Sequence, residues 1–369
     1  MSNRRLTEKE VLFALHETPG IGKLTEAGIM KTGKLAGLQD MQEPELVKLG
    51  LTARQAAELA RMLEPAEIDR RFAAYDALGA RVLAIWDREY PPVLRECGDA
   101  PYVLYALGRL ELLRKPAVAI VGTRVPTAYG RHVAESLAES LAKRGFAVVS
   151  GLARGVDTRA HEGALRGGGT IAVLGTPIDR AYPPENASLY RDIARRGLLL
   201  SEYPLGTAGH PGLFPLRNRI IAGMSYGTVV VEAANRSGSL ITAKLAGDYG
   251  REVYAVPGPV NSPKSEGTNT LIRMQAAMLI RSADDIYEDL FASVGGSAYG
   301  AGPPTEPDVL TSDEESVLRL LQDRPHTADE LMDALAVSFG HLQAVLINLT
   351  IKHRVEQHPG QLYSAAARL

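Results

Sequence analysis

AVAIVGTRVPTAYGRHVAESLAESLAKRGFAVVSGLARGVD, residues 117–157, reads as strand, turn, helix and second strand in immediate succession, one βαβ unit. Residues 117–121 are a short apolar run of the kind that fills a parallel strand buried on both faces. Gly122 then ends the run, where a residue without Cβ turns freely. Over 128–144, Val133, Leu137 and Leu141 recur at helical spacing, with Glu135, Glu139 and Arg144 on other faces. Gly145 stops that helix, and 147–149 make the next strand.

Open α/β sheets place ligands at the carboxyl ends of their strands. Two turns stand there, Gly122-Thr123-Arg124 and Ser150-Gly151-Leu152-Ala153-Arg154-Gly155. A glycine turn exposes backbone N–H groups, a helix N-terminus adds partial positive charge, and an arginine supplies a fork of donors, so each turn suits a phosphate oxygen. Glycines can also serve only to turn the chain and arginines only to be solvated, but two adjacent turns built alike favour anion binding. Residues 122–130 lack the G-x-G-x-x-G spacing, and no Asp or Glu closes the second strand to hold a ribose, which argues against a nicotinamide dinucleotide. No G-x-x-x-x-G-K-[ST] occurs, so a P-loop nucleotidase is unsupported.

The 369 residues suffice for two or three domains, with 45% hydrophobic and 23% charged residues, an ordinary globular composition. A formal net charge of -2 gives no global attraction for nucleic acid, so such binding needs a local basic patch. Cys97 is the single cysteine, which excludes an intramolecular disulfide and fits a reducing compartment. With no signal-like start and no apolar run of about 18 residues, the expectation is a soluble, cytoplasmic protein with no membrane span.

The first 67 residues read as helical. Thr7 to Glu10 offer a capping box before Val11, Leu12 and Leu15. Thr18-Pro19-Gly20-Ile21-Gly22-Lys23 is similar to the hairpin of helix-hairpin-helix and sterile-alpha-motif-like modules, and it is equally a good helix–helix turn. Residues 44–63 read as a further helical stretch that packs. From residue 68 the texture changes to short apolar strands punctuated by proline, at 78–83, 86–92 and 100–108. The runs Y-P-P-x-L (90–94), A-P-Y-V-L-Y-A-L-G-R-L (100–110) and A-V-A-I-V-G-T-R-x-P-T-x-Y-G (117–130) resemble the DNA processing protein A family (DprA, also called Smf).

Beyond Asp157 strands and helices continue to alternate, with strands at 170–174, 198–201, 228–232 and 252–255. His161 has no ligand partner at metal spacing and reads as structural or as an outer phosphate contact. In His210-Pro211-Gly212-Leu213-Phe214-Pro215-Leu216-Arg217-Asn218-Arg219, the cluster Arg217, Asn218 and Arg219 is expected at a helix start, with Phe214 as an aromatic face before it. Arginines for phosphate and an aromatic for base stacking are what a single-strand binder needs. The competing reading packs Phe214 in the core and pairs the arginines with Glu232 or Asp157. One arginine is expected to pair in this way, and both doing so is the less favoured case.

The segment F-P-x-R-N-R-I-I-x-G matches the family, and the resemblance implies that Arg124, Phe214, Arg217 and Asn218 line its nucleic-acid pocket. Where family members often carry a lysine shortly before the phenylalanine, this chain has His210 to Leu213, with His210 as the possible substitute. Ser237-Gly238-Ser239 opens another helix with hydroxyl and backbone donors, a third anion-ready turn, and S-G-S-L-x-T-A through Thr242 matches the family. In phosphoribohydrolases a similar turn carries a working glutamate. Here Ala243 and Lys244 stand there, against hydrolysis.

Residues 293–311 read as a Gly, Pro and Ser linker, and 312–369 as helices followed by a hairpin turning at Pro359-Gly360, a winged helix. Its penultimate helix, 339–352, has few cations besides Lys352, which favours partner or self-association over duplex DNA. The expected architecture is therefore α/β: a helical N-terminal domain (1–67), an extended Rossmann-like parallel sheet (68–292), the linker and a C-terminal winged-helix domain. The residues themselves favour a binding protein, with no nucleophile–base pair, metal cluster or cofactor site. The resemblance implies binding and protection of single-stranded DNA, loading of a RecA-type recombinase in natural transformation, and homodimerisation through the sheet. The alternatives are a phosphoribohydrolase-like enzyme, with Glu232 as its acid, and a small-nucleotide sensor. The expected DNA contacts are Gly122, Thr123, Arg124, Gly151, Arg154, Gly155, His210, Phe214, Arg217, Asn218, Arg219, Ser237, Gly238, Ser239 and Thr242.

Overall fold

Alternate residues of the strand Ala117–Val121 face opposite layers, as a strand covered on both sides requires. Ala117, Ala119 and Val121 pack with Ile220, Ile221 and Ala243, while Val118 and Ile120 pack with Ala134, Leu137, Val156 and Ala160. Burying a side chain such as Ile120 contributes about 1.5–3 kcal/mol, so this one strand ties both helical layers to the sheet.

The computed structural model describes residues 4–294, 311–335, 337–351, 354–358 and 362–365. The chain divides into two units, Met1–Gly302 and Pro303–Leu369. In the first unit the strands are β1 (Ala80–Ala84), β2 (Val103–Gly108), β3 (Ala117–Val121), β4 (Ala147–Ser150), β5 (Thr170–Leu174), β6 (Leu198–Ser201), β7 (Gly227–Val230), β8 (Glu252–Ala255) and β9 (Met278–Leu279). They form one sheet in the order β1-β2-β6-β5-β4-β3-β7-β8-β9. From β6 to β9 neighbours are parallel, and β2 and β1 add antiparallel to the β6 edge. The chain steps from β3 through β4 and β5 to β6 in one direction, then restarts at β7 on the other side of β3. The switch point therefore lies between β3 and β7, where such sheets open a ligand crevice.

Several boundaries differ from the sequence expectation. Residues 86–92 are a turn leading into the short helix Pro92–Arg95, because Pro91 and Pro92 have no N–H to give a ladder. The stretch 44–63 is two helices, Glu43–Lys48 and Ala53–Met62, broken at Gly50, whose φ is +97°. The division after residue 67 falls inside the helix Pro65–Ala77.

The capping box forms as read, with the Thr7 N–H donating to Glu10 at 2.8 Å. The N-terminal helices share a core with the sheet, Phe13, Leu59 and Tyr75 lying with Tyr105 and Leu199. The buried Glu17 carboxylate accepts from the Tyr75 hydroxyl at 2.5 Å and the Tyr105 hydroxyl at 2.6 Å and pairs with Arg71. This region is thus built into the sheet unit.

The second unit has helices Ser312–Asp323, Ala328–Leu335 and Phe339–Ile351, followed by the hairpin Val355–His358 with Leu362–Ala365. Val317, Leu331, Leu342, Leu346, Val355 and Tyr363 form its core. The expected turn at Pro359-Gly360 lies outside the described residues, as does most of the expected linker, into which the helix Ala283–Val294 extends.

Candidate nucleic-acid interface

Three turns stand side by side at the carboxyl ends of β4, β3 and β7. The first two touch because Gly155 adopts φ +80°, ψ -120°, where a side chain is strained, and a Cβ there would lie 2.4 Å from the Thr123 carbonyl. The Val156 N–H donates to that carbonyl at 3.2 Å, locking one turn to the other. The Thr123 N–H in turn donates to the Glu232 carbonyl at 2.7 Å, tying β3 to the segment after β7.

Most N–H groups of the second turn are directed inward, contrary to the sequence expectation. Those of Gly151 and Ala153 donate to Asp157 at 3.1 and 3.3 Å, and that of Leu152 donates to His161 Nε2 at 3.2 Å. Leu152 itself is held at φ +56°. Among the described residues, the N–H groups of Arg124, Arg154 and Gly155 keep no acceptor, and the last two immediately precede the helix Val156–Gly167. Arg124 is exposed and has no ion-pair partner among the described residues. Arg154 is exposed and paired with Glu185.

The helix expected to start at Arg217 begins four residues earlier, spanning Leu213–Gly223. Pro215 fits within its first turn, where the missing N–H has no intrahelical partner to lose. Arg217 and Arg219 therefore sit mid-helix, and both are buried, at 4% and 7% exposure. Arg217 donates to the carbonyls of Gly151, at 2.7 Å, and Val173, clasping the ends of β4 and β5. Gly151 is needed for this clasp, since a Cβ there would lie 2.3 Å from the guanidinium. Arg219 turns to the other side and pairs with Glu202, with Asp99 at 3.8 Å. The expectation that only one of the two is engaged is thus corrected: both are, and neither makes an ion pair with Glu232 or Asp157.

Asp157 nonetheless lies close enough to Arg217 for their charges to act on each other. Burial raises the Asp157 carboxyl above its usual range, which Arg217 opposes. Burial also lowers Arg217, to about 10. His161 is fully buried and pushed down to about 3, by burial and then by the Arg217 charge. Its Nε2 accepts from Leu152, so Nδ1 carries the proton toward Thr170 Oγ1 at 2.7 Å. His161 is a structural residue of the loop, not a phosphate contact.

Phe214 is half-buried, with its ring over Gly175, where a Cβ would lie 2.5 Å from the ring. His210 is exposed, its Nδ1 accepting from the Gly212 N–H at 3.0 Å, and Asn218 is half-buried. Ser237 caps the helix Gly238–Asp248, accepting from Ser239 N–H at 3.4 Å and meeting Ser239 Oγ at 2.8 Å. Gly238 is exposed, whereas Ser239 and Thr242 are buried and support the turn from within. Glu232 is buried and accepts from the Thr127 N–H at 2.9 Å and the Thr127 hydroxyl, holding in place the residue that caps the helix Ala128–Lys143.

Asn186 was missed by the sequence reading. Its amide donates to the carbonyls of Leu152 at 2.9 Å and Ala153 at 3.3 Å, a long-range contact with no local signal. A cavity of about 1040 Å³ lies elsewhere, between residues 16–26, the loop 202–207 and the helices Leu213–Gly223 and Gly238–Asp248. Of the expected contacts only Arg219 lines it, so cavity size does not mark the strand-end site. No described helix is long and apolar enough to cross a membrane.

Residues 81–291 match the family model of DNA recombination-mediator protein A, and residues 301–361 match that of the DprA winged helix domain. The chain is 37% identical to protein Smf of Synechocystis over 75% of this chain and 78% of that one. It is 39% identical to DNA processing protein DprA of Bacillus subtilis, over 72% and 91%. DNA processing protein A of Streptococcus pneumoniae superposes with a TM-score of 0.68 at 34% identity, covering 78% of this chain and 99% of that one. The protein of Helicobacter pylori, whose structure is described for its mode of binding single-stranded DNA, does so with a TM-score of 0.53 at 34% identity, covering 58% and 96%. With residues 81–291 matched by that family model and the Bacillus subtilis relative covered over 91% of its length, the chain belongs to the DNA recombination-mediator protein A family.

Proposed function

We propose that the protein binds single-stranded DNA across the carboxyl ends of β4, β3 and β7, protects it, and loads a RecA-type recombinase onto it during natural transformation. The observation that carries the binding step is the exposed Arg124, without an ion-pair partner among the described residues, beside the N–H groups of Arg154 and Gly155, which keep no acceptor among them. A fixed donor set of this kind takes a phosphate without first giving up another partner. Phe214 and Asn218 stand on the next helix, and Gly238 opens the third turn. His210 adds an exposed imidazole. Arg217 and Arg219 act beneath this surface. The DNA-binding relative from Helicobacter pylori supports the reading. Hydrolysis finds no support in the geometry, because the buried Glu232 carboxylate is already engaged by the N–H and hydroxyl of Thr127.

Homodimerisation through the sheet is supported by its β9 edge, where Met278 and Leu279 are 42% and 43% exposed and Met274 is 66% exposed, an apolar strand edge open to pairing. The helix Phe339–Ile351 holds neither lysine nor arginine, which favours a protein partner for the winged helix. The test of the binding step is titration of a fluorescent oligothymidine at two salt concentrations. Salt-sensitive binding that weakens in Arg124→Ala is the expected result. No binding by the wild type overturns the reading.

A further inference from the structure

Resting on the single-strand reading above, we propose that the loop after β5 forms a nucleotide subsite, with the Tyr182 ring stacking on a base and Arg180 meeting the adjoining phosphate. Tyr182 is 48% exposed although its ring packs at 5.0 Å and 35° from that of Phe214. Its hydroxyl has no hydrogen-bond partner among the described residues, so the ring is not held there by a polar anchor. Phe214 is backed by Gly175 on the strand end, which leaves Tyr182 as the outer member of a tilted ring pair. A rigidly backed aromatic with an open face suits a base, since every base offers a π-face.

The surroundings supply the charge that such a base brings with it. The Tyr182 hydroxyl lies close enough to Arg154 to act on its charge, placing the ring beside the phosphate-facing rim. Arg180, two residues earlier, is exposed and has no ion-pair partner among the described residues. Its guanidinium lies 3.4 Å from where a Cβ on Gly209 would stand, alongside the chain that leads to Phe214. The loop after β5 thus runs beside residues 209–214, with a cation at one end and an aromatic at the other. An exposed tyrosine can also serve simply to shield a phenylalanine, and such a shield would be indifferent to whether the DNA carries bases.

The experiment compares oligothymidine with an abasic strand of equal length, in wild type, Tyr182→Ala, Tyr182→Phe and Arg180→Ala. Tyr182→Ala is expected to lose roughly 5- to 100-fold in affinity for oligothymidine, nothing for the abasic strand, and no salt slope. Tyr182→Phe is expected to bind as wild type. Arg180→Ala is expected to weaken both strands and to reduce the salt slope by about 0.7. Equal loss on both strands in Tyr182→Ala, or no loss on either, overturns the base-stacking role while leaving the strand-end reading intact. An unchanged slope in Arg180→Ala overturns its phosphate contact. If wild type binds neither strand, the single-strand reading falls and the subsite falls with it.

Discussion

Two layers of the strand-end site carry arginine in opposite states. On the rim, Arg124 is exposed and free of ion pairs among the described residues. One layer down, Arg217 is 4% exposed and donates to the carbonyl ends of two strands. The difference comes from what lies above each side chain. Arg124 belongs to the glycine turn just after β3, and its side chain is exposed. Arg217 points from mid-helix under the Gly151 turn, whose missing Cβ leaves room for the guanidinium. The rim can give its charge to a ligand, whereas the lower layer spends its charge on holding the rim in shape.

The lower layer predicts the largest effect. Arg217→Met leaves the carbonyls of Gly151 and Val173 without their buried donor, and each buried acceptor left unsatisfied costs about 1–3 kcal/mol, to be read from urea unfolding. Whatever folded protein remains should keep the wild-type salt slope for single-stranded DNA. A slope reduced as in Arg124→Ala would place Arg217 on phosphate and dissolve the distinction between layers.

His161 sharpens the same contrast through pH. Its folded pKa is depressed from 6.5 to about 3 by burial and the Arg217 charge, so the neutral ring is the folded form. The stability tied to it is complete above pH 6.5 and is lost as pH falls from there toward 3. One such proton gives a slope of up to about 1.4 kcal/mol per pH unit. Unfolding measured from pH 7 down to 4 should therefore fall less steeply in His161→Gln than in wild type. Identical slopes would mean that the Leu152 N–H contact to the ring does not govern the loop.

Much of this was legible before any coordinates. The strand 117–121, its helix and the strands at 170–174, 198–201 and 252–255 follow from apolar runs and glycine stops, which are local signals. The Gly122-Thr123-Arg124 turn was legible for the same reason. The fate of Arg217 was not, because it depends on Gly151 and Val173, residues far away in the chain that come together only when β4 and β5 are laid beside the helix. The inward N–H groups of Gly151 to Ala153 were hidden likewise, since a glycine turn looks the same whether its donors face a ligand or a carboxylate six residues on. Local chemistry marked the candidate turns, and long-range packing decided which of their members are exposed.

On the rim itself, Arg124→Ala should cost about tenfold in affinity for oligothymidine and flatten the dependence of log K on log salt by about 0.7, the share of one single-strand phosphate. Its unfolding should match wild type, since the side chain has no partner to lose among the described residues. A loss of stability without loss of slope would move Arg124 into the lower layer.

The smallest effect belongs to Arg154, which is on the rim but already paired with Glu185. Surface pairs of this kind are weak, so the arginine is restrained without being removed. Arg154→Ala should therefore cost less than Arg124→Ala, roughly two- to threefold, and Glu185→Gln should raise affinity by about twofold. Removing a negative charge near DNA helps by itself, so the deciding measurement is the double variant. If Glu185→Gln acts by releasing Arg154, its gain disappears once Arg154 is alanine. If the gain persists undiminished, Glu185 acts only through its own charge, and the two rim arginines are then equivalent in kind, differing only in their distance from the strand.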